Sequence, residues 1–106
     1  MKIKSQPFEL KNIDYRKLKP IQGGLKDLSK RNYERLKNSF EQKGMFLPVF
    51  VWADGSDYRI LDGHGRGRFF EKEKAVFIDA QGQETYEVPC LVIQAENLKD
   101  AKEKLL

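Results

Sequence analysis

The chain has one cysteine, one histidine and one tryptophan among 106 residues. A single cysteine excludes an internal disulfide and any zinc site built from several thiolates. No apolar run approaches the length needed to cross a bilayer, and the N-terminus lacks the hydrophobic stretch of a secretory leader. There are no internal repeats and no low-complexity segment. The formal charge of +4 leans basic, which suits a polyanionic partner. It falls short of the dense Lys/Arg clustering of a dedicated DNA-binding domain. What remains is ordinary apolar content under many charges, the composition of one domain with a modest core and a well-solvated surface. Such a chain reads as cytosolic. Lys104-Leu105-Leu106 continue a helical pattern without a stop signal, so the chain is expected to be part of a longer protein.

One stretch stands out: Tyr58-Arg59-Ile60-Leu61-Asp62-Gly63-His64-Gly65-Arg66-Gly67-Arg68-Phe69-Phe70. It begins as a strand, breaks at three alternating glycines and resumes as a helix from about Gly65 to Lys74, carrying Phe69 and Phe70. A strand end, a glycine-rich turn and a helix start leave backbone N–H groups unpaired and pointing outward. Gly63, Gly65 and Gly67 admit a close ligand and a positive φ. Arg66 and Arg68 add permanently charged planar forks suited to phosphate oxygens. The pattern points to an anion site, for a nucleotide phosphate or a nucleic-acid backbone. A tight turn with two solvated arginines satisfies the same spacing, and alternating glycines alone are a weak motif. Asp62 and His64 could share a metal or a water in an enzyme. One carboxylate and one imidazole are too few to define a metal site. The plainer reading has Asp62 capping the turn and His64 bonded to backbone.

The rest of the chain supplies a scaffold. An edge strand is expected around residues 8–13 and a loop over 17–24, where Pro20 and the Gly23-Gly24 pair break regular structure. Residues 29–43 read as a helix, capped by Ser29 and closed by Gly44. Its apolar stripe of Tyr33, Leu36 and Phe40 is expected to pack on the sheet. Val49-Phe50-Val51-Trp52 reads as a strand buried on both faces, and Asp54-Gly55-Ser56-Asp57 as the turn of a hairpin. Residues 76–78 fit a strand or the end of the preceding helix. Gln81-Gly82-Gln83 is a turn. Residues 88–94 form a second buried strand, in which Cys90 is inert packing material. Asn97 caps a last helix with Leu98, Ala101 and Leu105 on one side. The sum is one α+β domain, a small mixed sheet flanked by about three helices.

The order of these elements resembles the ParB N-terminal domain, of the ParB/sulfiredoxin fold. The likeness covers nearly everything from about Ile13 onward. Leu18-Lys19-Pro20, Gln22-Gly23, Phe50-Val51-Trp52 and Ile60-Leu61-Asp62-Gly63-His64 look closest to phage and prophage ParB-like domains, which are often joined to, or encoded beside, DNA methyltransferases. The resemblance implies a nucleoside triphosphate, with magnesium, held by Gly63, His64, Gly65, Arg66, Gly67 and Arg68. An upstream loop of Gln22, Gly23, Gly24 and Lys26 forms the opposite wall. The chain also departs from the family. His64 stands where ParB has glutamate, Gly65 where it has arginine and Gly67 where it has a bulky residue, and the downstream E-N-x-x-R segment is missing. Neither CTP hydrolysis nor centromere recognition therefore follows. His64 also occupies the place of the sulfiredoxin catalytic cysteine, so peroxiredoxin repair is not expected. Three readings stay open: a domain of DNA metabolism that binds nucleotide or DNA through phosphate, a metal-assisted nuclease or nucleotide hydrolase with Asp62 and His64 catalytic, and a protein-interaction module. Oligomeric state is not legible.

Overall fold

Five strands form one curled mixed sheet in the order β1-β7-β3-β4-β2. The structure, a computed structural model, describes residues 1–5, 7–20, 28–45, 47–62 and 64–105, and of His64 the backbone only. The strands are β1 (Phe8–Asp14), β2 (Leu18–Lys19), β3 (Val49–Asp54), β4 (Asp57–Asp62) and β7 (Glu87–Ile93); β5 (Phe77–Ile78) and β6 (Glu84–Thr85) form a separate small hairpin. The helices are α1 (Lys30–Lys43), α2 (His64–Glu73) and α3 (Leu98–Lys104). The expected α+β architecture is therefore the one observed.

Side-chain alternation sets the register. Val49 pairs with Cys90 and Val51 with Val92 across the parallel β3–β7 ladder, and Val51 faces Ile60 of β4. All five are buried and make one face of the sheet. On this face lies α2, which contributes Phe69 and Phe70 to the core. Phe70 is 1% exposed. Its ring lies 5.6 Å from that of Tyr15 and 5.0 Å, edge-on, from that of Phe77. The Tyr15 hydroxyl donates to the Ala75 carbonyl at 2.8 Å, tying the end of β1 to the end of α2. On the opposite flank Trp52 Nε1 donates to the Ala95 carbonyl at 3.1 Å. That bond anchors the chain just before Asn97, whose side chain caps α3 through the Asp100 amide.

Two expectations need correction, and a third is decided between its alternatives. The stripe on α1 reaches the core chiefly through α2: Tyr33 and Phe40 stack on Phe69 at 5.4 and 5.2 Å, and Phe40 reaches Phe70 at 5.5 Å. No residue of α1 is fully buried, because α2 already occupies the sheet face. The expected loop over 17–24 contains a strand, since Leu18 and Lys19 pair in parallel with Tyr58 and Arg59. Two residues are too few to show periodicity, and the remainder of that loop, 21–24, lies outside the described residues. Residues 77–78 settle as a strand, closed by a turn in which the Asp79 carboxylate accepts from the amides of Gln81 and Gln83. The Ser29 cap is as expected, its Oγ accepting from the Asn32 amide at 3.1 Å.

Truncating Phe70 removes the ring on which Tyr15, Phe40 and Phe77 converge. Phe70→Ala is expected to cost about 3–5 kcal/mol of unfolding free energy in a urea titration. Leu36→Ala, at a partly exposed position, should cost less. A loss below about 1 kcal/mol for Phe70→Ala would show that the core is organised elsewhere.

Candidate functional site

The site is built where β4 hands over to α2. Asp62 ends β4 and is exposed, and α2 begins at His64. The first-turn amides of a helix have no acceptor within it, and the aligned peptide dipoles give that end a partial positive charge. No acidic side chain lies in the first turn to satisfy it internally.

The glycines divide their roles. Gly65 and Gly67 are both helical, and neither shows the positive φ expected from their alternation; the described positive-φ glycines are Gly44, Gly55 and Gly82. At Gly67 a Cβ would stand 3.1 Å from Ile60 Cδ1, so this glycine lets α2 approach β4 closely. At Gly65 a Cβ would make only an ordinary contact, 3.7 Å from Leu28 Cδ2, and the residue is exposed. Gly65 therefore leaves the first-turn backbone open to a ligand.

The arginines divide as well. Arg66 donates through Nη1 to the Leu47 carbonyl at 2.6 Å and through Nη2 to the Pro48 carbonyl at 2.9 Å. It clamps the first turn of α2 to the entry of β3. Burial lowers its affinity for its proton below the ordinary arginine value, and the nearby Asp62 carboxylate offsets part of that. Arg68 pairs with Glu71 at 3.4 Å and lines a cleft of about 620 Å³ with Leu28, Glu71 and Lys72. The Lys72 ammonium lies 4.7 Å from the centroid of the Tyr33 ring, and the Tyr33 hydroxyl bonds the Glu73 carboxylate. The cleft thus carries two cations and one carboxylate beside Leu28.

Of the residues expected to bind phosphate, the structure groups Gly65 and Arg68 on the cleft side and sets Arg66 and Gly67 against the fold. Gln22, Gly23, Gly24, Lys26 and Gly63 lie outside the described residues, as does the side chain of His64. Leu28, two positions after Lys26, rests against Gly65 and shares the cleft with Arg68, so the chain that follows the upstream loop arrives at the first turn of α2. Leu28 and Lys72 were missed from sequence. Lys72 had a legible signal, standing four residues after Arg68 and so on the same helix face. Among the described residues no three His, Cys, Asp or Glu side chains come together to hold a metal ion. Cys90 is fully buried, and burial pushes its thiol up to about 11.

No protein-family profile matches the chain, and no curated protein matches it by sequence. Solved structures do match. The C-terminally truncated chromosome-partitioning protein ParB from Caulobacter crescentus, complexed with CTP-γ-S, superposes with a TM-score of 0.63 at 18% identity, over 91% of this chain and 49% of that one. Sulfiredoxin from Arabidopsis thaliana superposes at 0.59, with 15% identity, over 82% and 86% of the two chains. This chain has the ParB/sulfiredoxin fold. A free serine kinase in complex with AMP shares it, at a TM-score of 0.52 and 20% identity, over 92% of this chain and 34% of the kinase. The chain thus spans about half the length of that ParB and about a third of the kinase. At such identities the ParB/sulfiredoxin likeness establishes the fold alone.

Two measurements probe this arrangement. Arg66→Ala strands the Leu47 and Pro48 carbonyls and should lower stability by about 1–3 kcal/mol, toward the lower end because Leu47 is exposed. An unchanged melting temperature would show that the clamp is not structural. The Cys90 thiol has a folded value above its ordinary one, so it favours folding below pH 9 and loses that contribution as pH rises toward about 11. At pH 8 a thiol reagent is expected to label Cys90 only as fast as the chain unfolds; rapid labelling of the native protein would contradict its placement.

Proposed function

We propose that this domain binds a phosphate-bearing ligand, a nucleotide or a nucleic-acid backbone, on the first turn of α2. The observation that carries the reading is a convergence: Leu28, Arg68 and Lys72 line one cleft, and Leu28 also neighbours the uncrowded backbone at Gly65. Unpaired amides at a helix start, next to an arginine fork, favour an anion for electrostatic and hydrogen-bonding reasons together. The formal charge of +4 acts in the same direction at longer range. Support for a nucleotide comes from the fold, since a ParB of this fold is complexed with CTP-γ-S and a serine kinase with AMP.

In this proposal Gly63 and His64 continue the turn, and Gln22, Gly23, Gly24 and Lys26 close the opposite wall. Magnesium accompanies the ligand if it is a triphosphate. Arg66 serves the site indirectly, by holding the turn in place. The sequence resemblance to phage-type ParB-like domains supports a role in DNA metabolism with a linked DNA methyltransferase as the proposed partner.

The test is binding of a nucleotide panel, with and without magnesium, and of short DNA, at two salt concentrations. Gly65→Val should keep the fold, because a Cβ has room there, yet weaken binding by blocking the backbone. Arg68→Ala should weaken it about tenfold, the loss of one charge-assisted bond. It should also flatten the salt dependence if the ligand is nucleic acid. Wild-type protein that binds none of these ligands, or variants that bind like wild type, would overturn the proposal. Metal-dependent cleavage of DNA that vanishes in His64→Ala would replace it with the nuclease reading.

A further inference from the structure

β1 is the edge strand at the opposite end of the strand order from β2; its residues 11–14 border a cleft of about 490 Å³ shared with Lys17, Lys19 and Tyr58, and Phe8, Glu9 and Leu10 lie outside that cleft. Phe8–Asp14 pairs on one side with β7, and among the described residues no strand pairs with its other side. The first five residues of β1 are all exposed. Phe8 and Leu10 are 63% and 66% exposed, large values for apolar side chains in a strand. Their cross-strand partners are Ile93 and Leu91, so they extend an apolar sheet face that also includes Phe50 and a groove of about 320 Å³ reaching Leu105. The devices that commonly protect such an edge are charged side chains, proline, a bulge or a covering element, and of these β1 has only its charges, Glu9, Lys11 and Asp14. Within β1 there is no proline and the β7 register runs without a shift. An edge of this kind is a template for a further strand.

Its charge pattern names the strand. Two copies paired antiparallel about a two-fold axis perpendicular to the sheet keep their faces aligned, so directly opposed residues must share a face. Centring the axis on Glu9 opposes two carboxylates. Centring it on Lys11 opposes two ammonium groups. Both are unfavourable in directly opposed pairs. Centring it on Asn12 sets Leu10 against Asp14. Centring it on Leu10 opposes Leu10 to Leu10, sets each Phe8 opposite Asn12 of the second copy, and pairs Glu9 with Lys11 of the second copy twice by symmetry. Lys11 Nζ donates to the Tyr58 hydroxyl at 2.9 Å, and an ammonium with three donors retains two for a carboxylate.

We propose that β1 is a self-association edge, joining two copies of this chain antiparallel about Leu10 into one continuous ten-stranded sheet, with Glu9–Lys11 pairs setting the register. The isologous geometry closes, so assembly stops at two chains. The joint involves none of the residues that line the Arg68–Lys72 cleft.

Sedimentation of the whole chain over a concentration series reaching the millimolar range tests this. Wild type should shift from one chain mass to twice that mass. Glu9→Lys and Lys11→Glu, each creating two like-charge pairs, should each weaken association about tenfold or more. The double variant Glu9→Lys with Lys11→Glu restores opposite charges and should return to within about threefold of wild type. Both positions are exposed, so all variants should keep the wild-type circular dichroism. Wild type that stays monomeric throughout overturns the proposal. So do single variants that dimerise like wild type, or a double variant that fails to recover.

Discussion

The contact on which the rest of this structure depends is the adjacent pair Phe69 and Phe70 on α2. Adjacent residues on a helix point about a hundred degrees apart, so the two rings serve different neighbours. Phe70 is wedged among Tyr15, Phe40 and Phe77, while Phe69 takes Tyr33 and Phe40. A single turn of helix thereby joins α1, the end of β1 and the β5–β6 hairpin. The strands alone could not do this, because their buried face is formed largely by short side chains such as Val49, Val51, Val88 and Cys90. Short side chains leave room for a helix to sit close, and two aromatic rings fill that room.

Fixing α2 by its middle also fixes its beginning. Gly67 lets the helix come near β4, and Arg66 ties the first turn to the Leu47 and Pro48 carbonyls. A half-buried guanidinium bound to two carbonyls is a costly element unless its position matters, since removing charge from water is unfavourable. Here it carries on, to the first turn of α2, the junction that the Phe50–Asp62 pair of the β3–β4 ladder makes just before it. Preorganised amides are useful to an anion only if they do not have to be gathered at the moment of binding. The clamp supplies that preorganisation from a residue whose sequence context suggested direct contact with phosphate.

Much of the fold was legible in the sequence, and the reasons differ by element. Helix α1 announced itself by its cap, stripe and closing glycine, all local signals. The strands β3 and β7 were visible because their valines, with Cys90, make dense apolar runs, and the hairpin because Asp54-Gly55 demands a turn. What stayed hidden depended on long-range contacts. Leu18–Lys19 is a strand only because Tyr58 and Arg59 lie alongside. The Tyr33-Leu36-Phe40 stripe says that a face is buried but not against which neighbour. The roles of Gly65 and Gly67 were inseparable in sequence, since the expected helix start near Gly65 does not say which glycine meets a neighbouring strand. Arg66 and Arg68 look equivalent as letters; what separates them is that the backbone of residues 47–48 lies within reach of one.

The period of the helix explains how this segment can serve the fold and a ligand together. Positions 66, 67, 69 and 70 face inward, to the β3 entry, Ile60 and the aromatic core. Positions 65, 68 and 72 recur at the three- and four-residue spacing of a single helix face and border the cleft or the exposed first turn. The two sets do not overlap. Substitution on the outer set changes what the first turn meets without disturbing the packing of α2, whereas substitution on the inner set alters the scaffold first. The inner positions keep a helix start at the end of β4, and the outer positions are free to change with the ligand. In this chain the outer set is a glycine and two cations, the chemistry on which the proposed phosphate site rests.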